Sequence, residues 1–233
     1  MAADRILKQM KAFMNFTNEG FKYNLQVFPD TLTGSVFLFA ILFQSPPFVT
    51  LFGSILLLNA VHGPLTHMLS NVMGDTLQSK SDGARCSGHF PGISFERLIS
   101  TASAGKFGDL EDAVPSYYST FLGFLGAYIG MLPVIYWKEI SYSPVRKAST
   151  TVGLVVLALV LLLGVLHRVF NCESLGNVGI GMLAGGFVGA LLVMFFAFLS
   201  DRRLTNILSF PLIRDKTTDG KPIYVCERPP NSR

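Results

Sequence analysis

Half of the 233 residues are hydrophobic, only 15 % are charged, and the mean hydropathy is +0.45. An ordinary globular chain carries about 25 % charged residues, so this composition excludes a typical soluble domain and points to a bilayer. The net charge of +4 is modest and spread over loops and tail. It reads as a topology signal and argues against nucleic acid as a partner. Most charges fall outside the apolar runs and no polar stretch is long enough for a second core, so one membrane-embedded unit is expected.

Residues 1–30 read as an amphipathic interfacial helix. Ile6, Leu7, Met10, Phe13 and Met14 recur at helical spacing, opposite Arg5, Lys8 and Lys11. The same face would equally suit docking on protein. Pro29-Asp30 is expected to end this helix. No cleavable signal peptide is expected, because the segment lacks an apolar core.

Two apolar runs follow, Leu32–Phe43 and Phe48–Val61, separated by Gln44-Ser45-Pro46-Pro47. Each is shorter than the roughly 20 residues needed to cross a bilayer. A proline pair breaks a helix and favours a turn or a fresh helix start. The unit is therefore either a hairpin of two short spans or one re-entrant element. The second helix is expected to continue through Gly63-Pro64 toward Met73. Residues 74–114 form a polar loop that carries Lys80, Arg85, Cys86 and the acidic Asp109, Glu111 and Asp112, with one short helix expected near Phe95–Thr101.

Three stronger spans come next. Ser116–Trp137 has aromatic belts at both ends (Tyr117, Tyr118; Tyr136, Trp137), Thr150–Leu166 is nearly all Leu and Val, and Val178–Leu199 is small at its start and bulky at its end. The expected fold class is all-α: a polytopic α-helical membrane protein with four or five membrane segments and an N-terminal amphipathic helix. Residues 200–233 make a basic polar tail. There Asp219-Gly220, between Pro211-Leu212-Ile213 and Pro222-Ile223-Tyr224-Val225, suits a β-hairpin turn, a solvated tail being the alternative.

The spans put residues 74–114 and the turn at 167–177 on one side of the membrane. Lys138, Arg146, Lys147, Arg202 and Arg203 lie near span ends on the other, so the tail is expected in the cytoplasm. Cys86 and Cys172 then share the non-cytoplasmic side, where a disulfide persists; Cys226 is on the opposite side. The cysteines and the scattered His62, His67 and His89 lack metal-ligand spacing, so neither a metal nor another cofactor is expected.

The stretch from His167 to Leu192 concentrates the remaining polar and small residues. Gly181, Gly185 and Gly189 recur every four residues, a small-residue seam for close helix packing, and Gly126 and Gly130 on the earlier span offer a matching surface. Ser174 and Asn177 suit a helix N-cap, and Glu173 suits the positive end of a helix dipole. His167 and Arg168 at a span end read as interfacial anchors.

Three patterns nevertheless follow the order and membrane disposition of the type 2 phosphatidic acid phosphatase superfamily, which this chain resembles over about its last half. Pro115-Ser116-Tyr117-Tyr118 is similar to that family's Pro-Ser-Gly-His motif and opens a span. His167-Arg168, followed by Asn177-Val178-Gly179-Ile180-Gly181 and Gly185, is similar to its last motif. The resemblance implies lipid-phosphate chemistry carried by a histidine nucleophile, a histidine acid, an orienting aspartate and cations. Here Tyr118 stands at the acid's place, Ser174 at the nucleophile's, and Asn177 close to the aspartate's. Only Lys80 and Arg85 are available for the first motif. An active protein would thus rely on Arg168, His167, Ser174, Asn177, Lys80 and Arg85.

A second resemblance rests on Pro115–Tyr118, Lys138-Glu139-Ile140, Asn171-Cys172-Glu173 and Gly220–Cys226. Together these strings are similar to a multi-span membrane protein family of large double-stranded DNA viruses with an internal lipid membrane. It implies a structural role: a non-catalytic scaffold in a virion or host endomembrane, touching capsid or other membrane proteins through its long loop and tail. That scaffold is the expected function, and a divergent lipid phosphatase is the alternative.

Overall fold

The computed structural model describes residues 20, 23–73, 115–208, 213–216 and 222–224. Most of the expected amphipathic helix and all of loop 74–114, with its short helix, Lys80, Arg85 and Cys86, lie outside the described residues. The membrane part is built from α1 (Phe28–Phe43), α2 (Pro46–Met73), α3 (Tyr117–Ile135), the short α4 (Trp137–Ser141), α5 (Pro144–Asn171) and α6 (Leu175–Met194). A π-helical turn, Phe195–Ser200, and a 3-10 turn, Arg202–Thr205, end it. In the tail, β1 (Ile213–Lys216) pairs antiparallel with β2 (Pro222–Tyr224).

Four helical stretches are long and apolar enough to cross a bilayer: Pro46–Leu69, Tyr117–Ile135, Pro144–Asn171 and Leu175–Leu199. Their outward residues agree with that solvent. Val152, Val155, Val156, Leu159 and Leu162 on α5, and Leu183 and Phe187 on α6, stand exposed, an arrangement that water would penalise and lipid favours. The chain is an all-α polytopic membrane protein.

Pro46 begins a helix. Gln44 takes a left-handed conformation (φ 46°) and closes α1, after which the N–H groups of Phe48 and Val49 bond back to the Ser45 carbonyl. α1 and α2 then pack as a hairpin, with Phe37 against Phe52 (5.1 Å between ring centroids) and Phe39 against Phe48 (5.6 Å). At 16 residues, α1 measures about 24 Å and falls short of the hydrocarbon thickness. The break before α1 falls at Val27, and Pro29 sits in the first turn of α1 instead of ending the helix before it. Proline tolerates that position because its missing N–H has no partner to lose there. Pro64 does not stop α2, which runs to Met73.

The bundle is organised around α3. Of its apolar window 61 % is buried, against 6 % for α5. Val36, Leu51, Ile55 and Leu58 from the hairpin meet Phe121, Phe124, Leu125, Tyr128 and Leu132 of α3, and Val193 of α6 closes the cluster. α6 approaches α3 more closely than side chains permit. A Cβ at Gly185 would overlap the Thr120 carbonyl, one at Gly189 would come within 2.5 Å of the Phe124 oxygen, and one at Gly181 within 2.8 Å of the Ser119 Cβ. From the other side, a Cβ at Gly123 would overlap the Met182 carbonyl.

The α3 half of this seam is therefore Ser119, Thr120, Gly123 and Phe124. Gly126 and Gly130 do not form it: Gly126 faces Leu161 of α5, and Gly130 has open space around it. α5 packs loosely alongside, with Gly164 its one buried residue, set against Leu122.

Candidate functional site

The close approach of α3 and α6 places the first turn of α3 beside the turn between α5 and α6. Ser116 caps α3, its hydroxyl accepting from the Ser119 N–H, and Ser174 caps α6 by accepting from the Asn177 N–H at 3.3 Å. Serine suits both places because its oxygen satisfies an N–H that the helix leaves unpaired. Between the two caps sits Glu173. Its Oε2 accepts from Ser116 Oγ (2.7 Å) and Ser119 Oγ (3.0 Å), and its Oε1 lies 3.4 Å from Arg168 Nε. Both charged side chains are largely buried, Arg168 at 12 % and Glu173 at 6 % exposure.

The remaining groups close around this ion pair. Asn177 Oδ1 accepts from the Ser116 backbone N–H at 3.3 Å. The Arg168 guanidinium lies over the Tyr118 ring, 4.1 Å from its centroid, and the Tyr118 hydroxyl donates to the Leu25 carbonyl at 2.7 Å. A cation over an aromatic face in a desolvated place gains about 2 kcal/mol. His62 of α2 lies with Nε2 3.1 Å from the Pro115 carbonyl and its ring edge-on to Tyr117. Cys172, at the end of α5, is disulfide-bonded to a sulfur outside the described residues.

The residues singled out by the phosphatase resemblance thus gather at one end of the bundle: Ser116, Tyr118, Arg168, Ser174 and Asn177. The His167 carbonyl accepts from the Asn171 side-chain amide. Among the described residues these groups bond to one another. Ser174 holds a helix N–H, Asn177 holds the Ser116 N–H, and Arg168 is engaged by Glu173 and Tyr118. Phosphate transfer needs a free nucleophile, a proton donor and several cations directed at one point. Lys80 and Arg85 lie outside the described residues.

A second polar cluster, at the opposite end, joins α4 to the chain leaving α6. Glu139 is fully buried, and its Oε1 lies 3.5 Å from Arg202 Nη1. Among the described residues, neither carboxylate oxygen accepts a hydrogen bond. Arg202 also donates to the Ile135 carbonyl and stacks over Tyr136 at 5.2 Å. The Tyr136 hydroxyl donates to the Arg202 carbonyl and lies 2.9 Å from Thr205 Oγ1. Burial raises the Tyr136 pKa above the ordinary phenol value, partly offset by Thr205 and the Arg202 charge, so the hydroxyl remains a donor at neutral pH.

The sequence marks Glu173 as a dipole partner, whereas the roles of Ser119, Glu139 and Thr205 emerge only in the fold. One signal was present for Glu139: it is the sole acid among the basic residues that flank the span ends from Trp137 to Lys147. A lone acid in such a setting has reason to be paired.

Compared with protein-family models, curated proteins and solved structures, the chain matches none.

Removing Arg202 leaves the Glu139 carboxylate buried without its counter-charge. Arg202→Ala is expected to destabilise the full chain in detergent by roughly 3 kcal/mol, the low end of the range for a broken buried pair because Arg202 is partly exposed. Adding Glu139→Gln to that variant should recover part of the loss in thermal unfolding. Equal melting of Arg202→Ala and the unaltered chain would show that the pair contributes nothing.

Proposed function

We propose that the chain is a non-catalytic integral membrane scaffold, of the kind found in a virion inner membrane, that meets protein partners through loop 74–114 and its basic tail. One observation carries this reading. Among the described residues, the polar groups at the start of α3 and the α5–α6 turn bond to one another: Glu173 to Ser116, Ser119 and Arg168, Asn177 to Ser116, and Ser174 to the α6 cap. Such a set fixes helix ends, which in a bilayer must find their hydrogen-bond partners within the protein.

The lipid-phosphatase alternative draws on one fact, that Ser116, Tyr118, Arg168 and Asn177 come together from two separate patterns. It lacks a histidine at the nucleophile's and acid's places.

In the scaffold reading the tail faces the cytoplasm and the Glu173 end faces an oxidising compartment. A disulfide at Cys172 fits that orientation, since such bonds persist outside the reducing cytosol. We assign its partner as Cys86, because residues 74–114 join α2 to α3 at the Glu173 end, whereas Cys226 follows α6 at the other end. Digestion without reductant should yield a Cys86–Cys172 peptide with Cys226 free. A Cys172–Cys226 peptide would reverse the assignment.

For the function itself, the purified full chain incubated with phosphatidic acid in mixed micelles is expected to release no phosphate above the protein-free rate. Crosslinks from Lys216 or Lys221 should join the tail to a shell or membrane protein. Phosphate release that disappears on Arg168→Ala would overturn the scaffold reading in favour of the enzyme.

A further inference from the structure

The corner between α4 and α5 carries three cations for which no ion pair is seen among the described residues. Lys138 is on α4, and Arg146 and Lys147 are in the first turn of α5, beyond the short link at Tyr142-Ser143. Lys138 and Lys147 are exposed. Arg146 is half-buried, with its Nη1 fully enclosed and without a hydrogen-bond partner among the described residues. The one acid between Trp137 and Lys147, Glu139, points inward and is paired with Arg202. The exposed charges of the stretch from Trp137 to Lys147 are therefore all positive; the nearby exposed acid Asp201 caps the 3-10 turn by accepting from the Arg203 N–H.

Its surroundings identify what meets it. α5 has only Gly164 buried along 28 residues, so lipid chains surround the helix whose first turn holds Arg146 and Lys147. Trp137 and Tyr142 flank the cations with 58 % and 43 % exposure, and both residue types favour the level of the headgroups. A guanidinium held against the protein also loses less freedom on meeting a phosphate than one on a mobile arm.

We propose that this corner docks an anionic phospholipid headgroup, with Arg146 as the anchored charge and Lys138 and Lys147 as the exposed ones. Juxtamembrane cations favour anionic lipid by about 1 kcal/mol each, and the preference decays over a Debye length. A zwitterionic headgroup gains little there, because its own ammonium cancels the attraction.

Trp137 is the one tryptophan of the chain and lies within the corner, so it reports directly. The full chain is placed in phosphatidylcholine nanodiscs containing a minor fraction of either chain-brominated phosphatidylglycerol or, at equal fraction, chain-brominated phosphatidylcholine. The anionic lipid is expected to quench Trp137 more strongly at low salt, with the excess falling as salt rises. Arg146→Gln should cut the excess occupancy roughly fivefold, and Lys147→Gln by a similar factor. The phosphatidylcholine quenching and the circular dichroism should remain unchanged and so report an intact fold. If Arg146→Gln does not fold, Lys138→Gln and Lys147→Gln, both at exposed side chains, decide the matter. Equal quenching by the two lipids, or an anionic preference that survives removal of these cations, would overturn the proposal.

Discussion

Everything in this bundle depends on α3 and α6 touching backbone to backbone. Inside a bilayer two helices gain nothing by hiding apolar surface from water, because lipid tails are as apolar as leucine. What holds them together is packing, and packing improves as the axes come closer. Gly181, Gly185 and Gly189 remove the side chains that would stand in the way, so the carbonyls of Thr120 and Phe124 occupy the places where Cβ atoms would otherwise be. Gly123 does the same from the α3 side. α1 and α2 then pack on α3 with Val36, Leu51, Ile55 and Leu58.

The same approach determines what happens at the ends. With α3 and α6 in register, the Ser116 cap and the Ser174 cap lie side by side, and Glu173 bridges from the α5–α6 turn to the hydroxyls of Ser116 and Ser119. Arg168 neutralises the carboxylate and lies on Tyr118. At the other end Arg202 returns to the buried Glu139 and fixes where the chain leaves the membrane. Each end thus holds a buried acid paired with an arginine, which is costly to leave unpaired and ties together the elements it joins.

Hydropathy and punctuation made much of the architecture legible. The apolar runs, the aromatic pairs at Tyr117-Tyr118 and Tyr136-Trp137, the helix start at Pro46 and the Ser174 cap all follow from local chemistry, which the sequence displays directly. The glycine spacing at 181, 185 and 189 pointed to a packing face on α6. It could not tell which face of α3 answers it, because Gly123, Gly126 and Gly130 all lie on that helix and the choice depends on its rotation. The polar clusters were less legible for a related reason. Glu173 finds Ser116 at a separation of 57 residues, and Glu139 finds Arg202 only once α6 has brought the chain back across the membrane. Pairings of that kind belong to the fold and leave no trace in spacing.

The central claim is that the contact of α3 with α6 needs the missing Cβ at Gly185. Thermal unfolding of the detergent-solubilised full chain carrying Gly185→Ala, measured beside Gly130→Ala, tests it most directly. Alanine is the better helix former, so propensity alone would make both variants slightly more stable. Overpacking at position 185 instead predicts a loss of about 1–3 kcal/mol for Gly185→Ala, with no loss for Gly130→Ala, whose added methyl has nothing within 4 Å. Equal stability of the two variants would contradict the account.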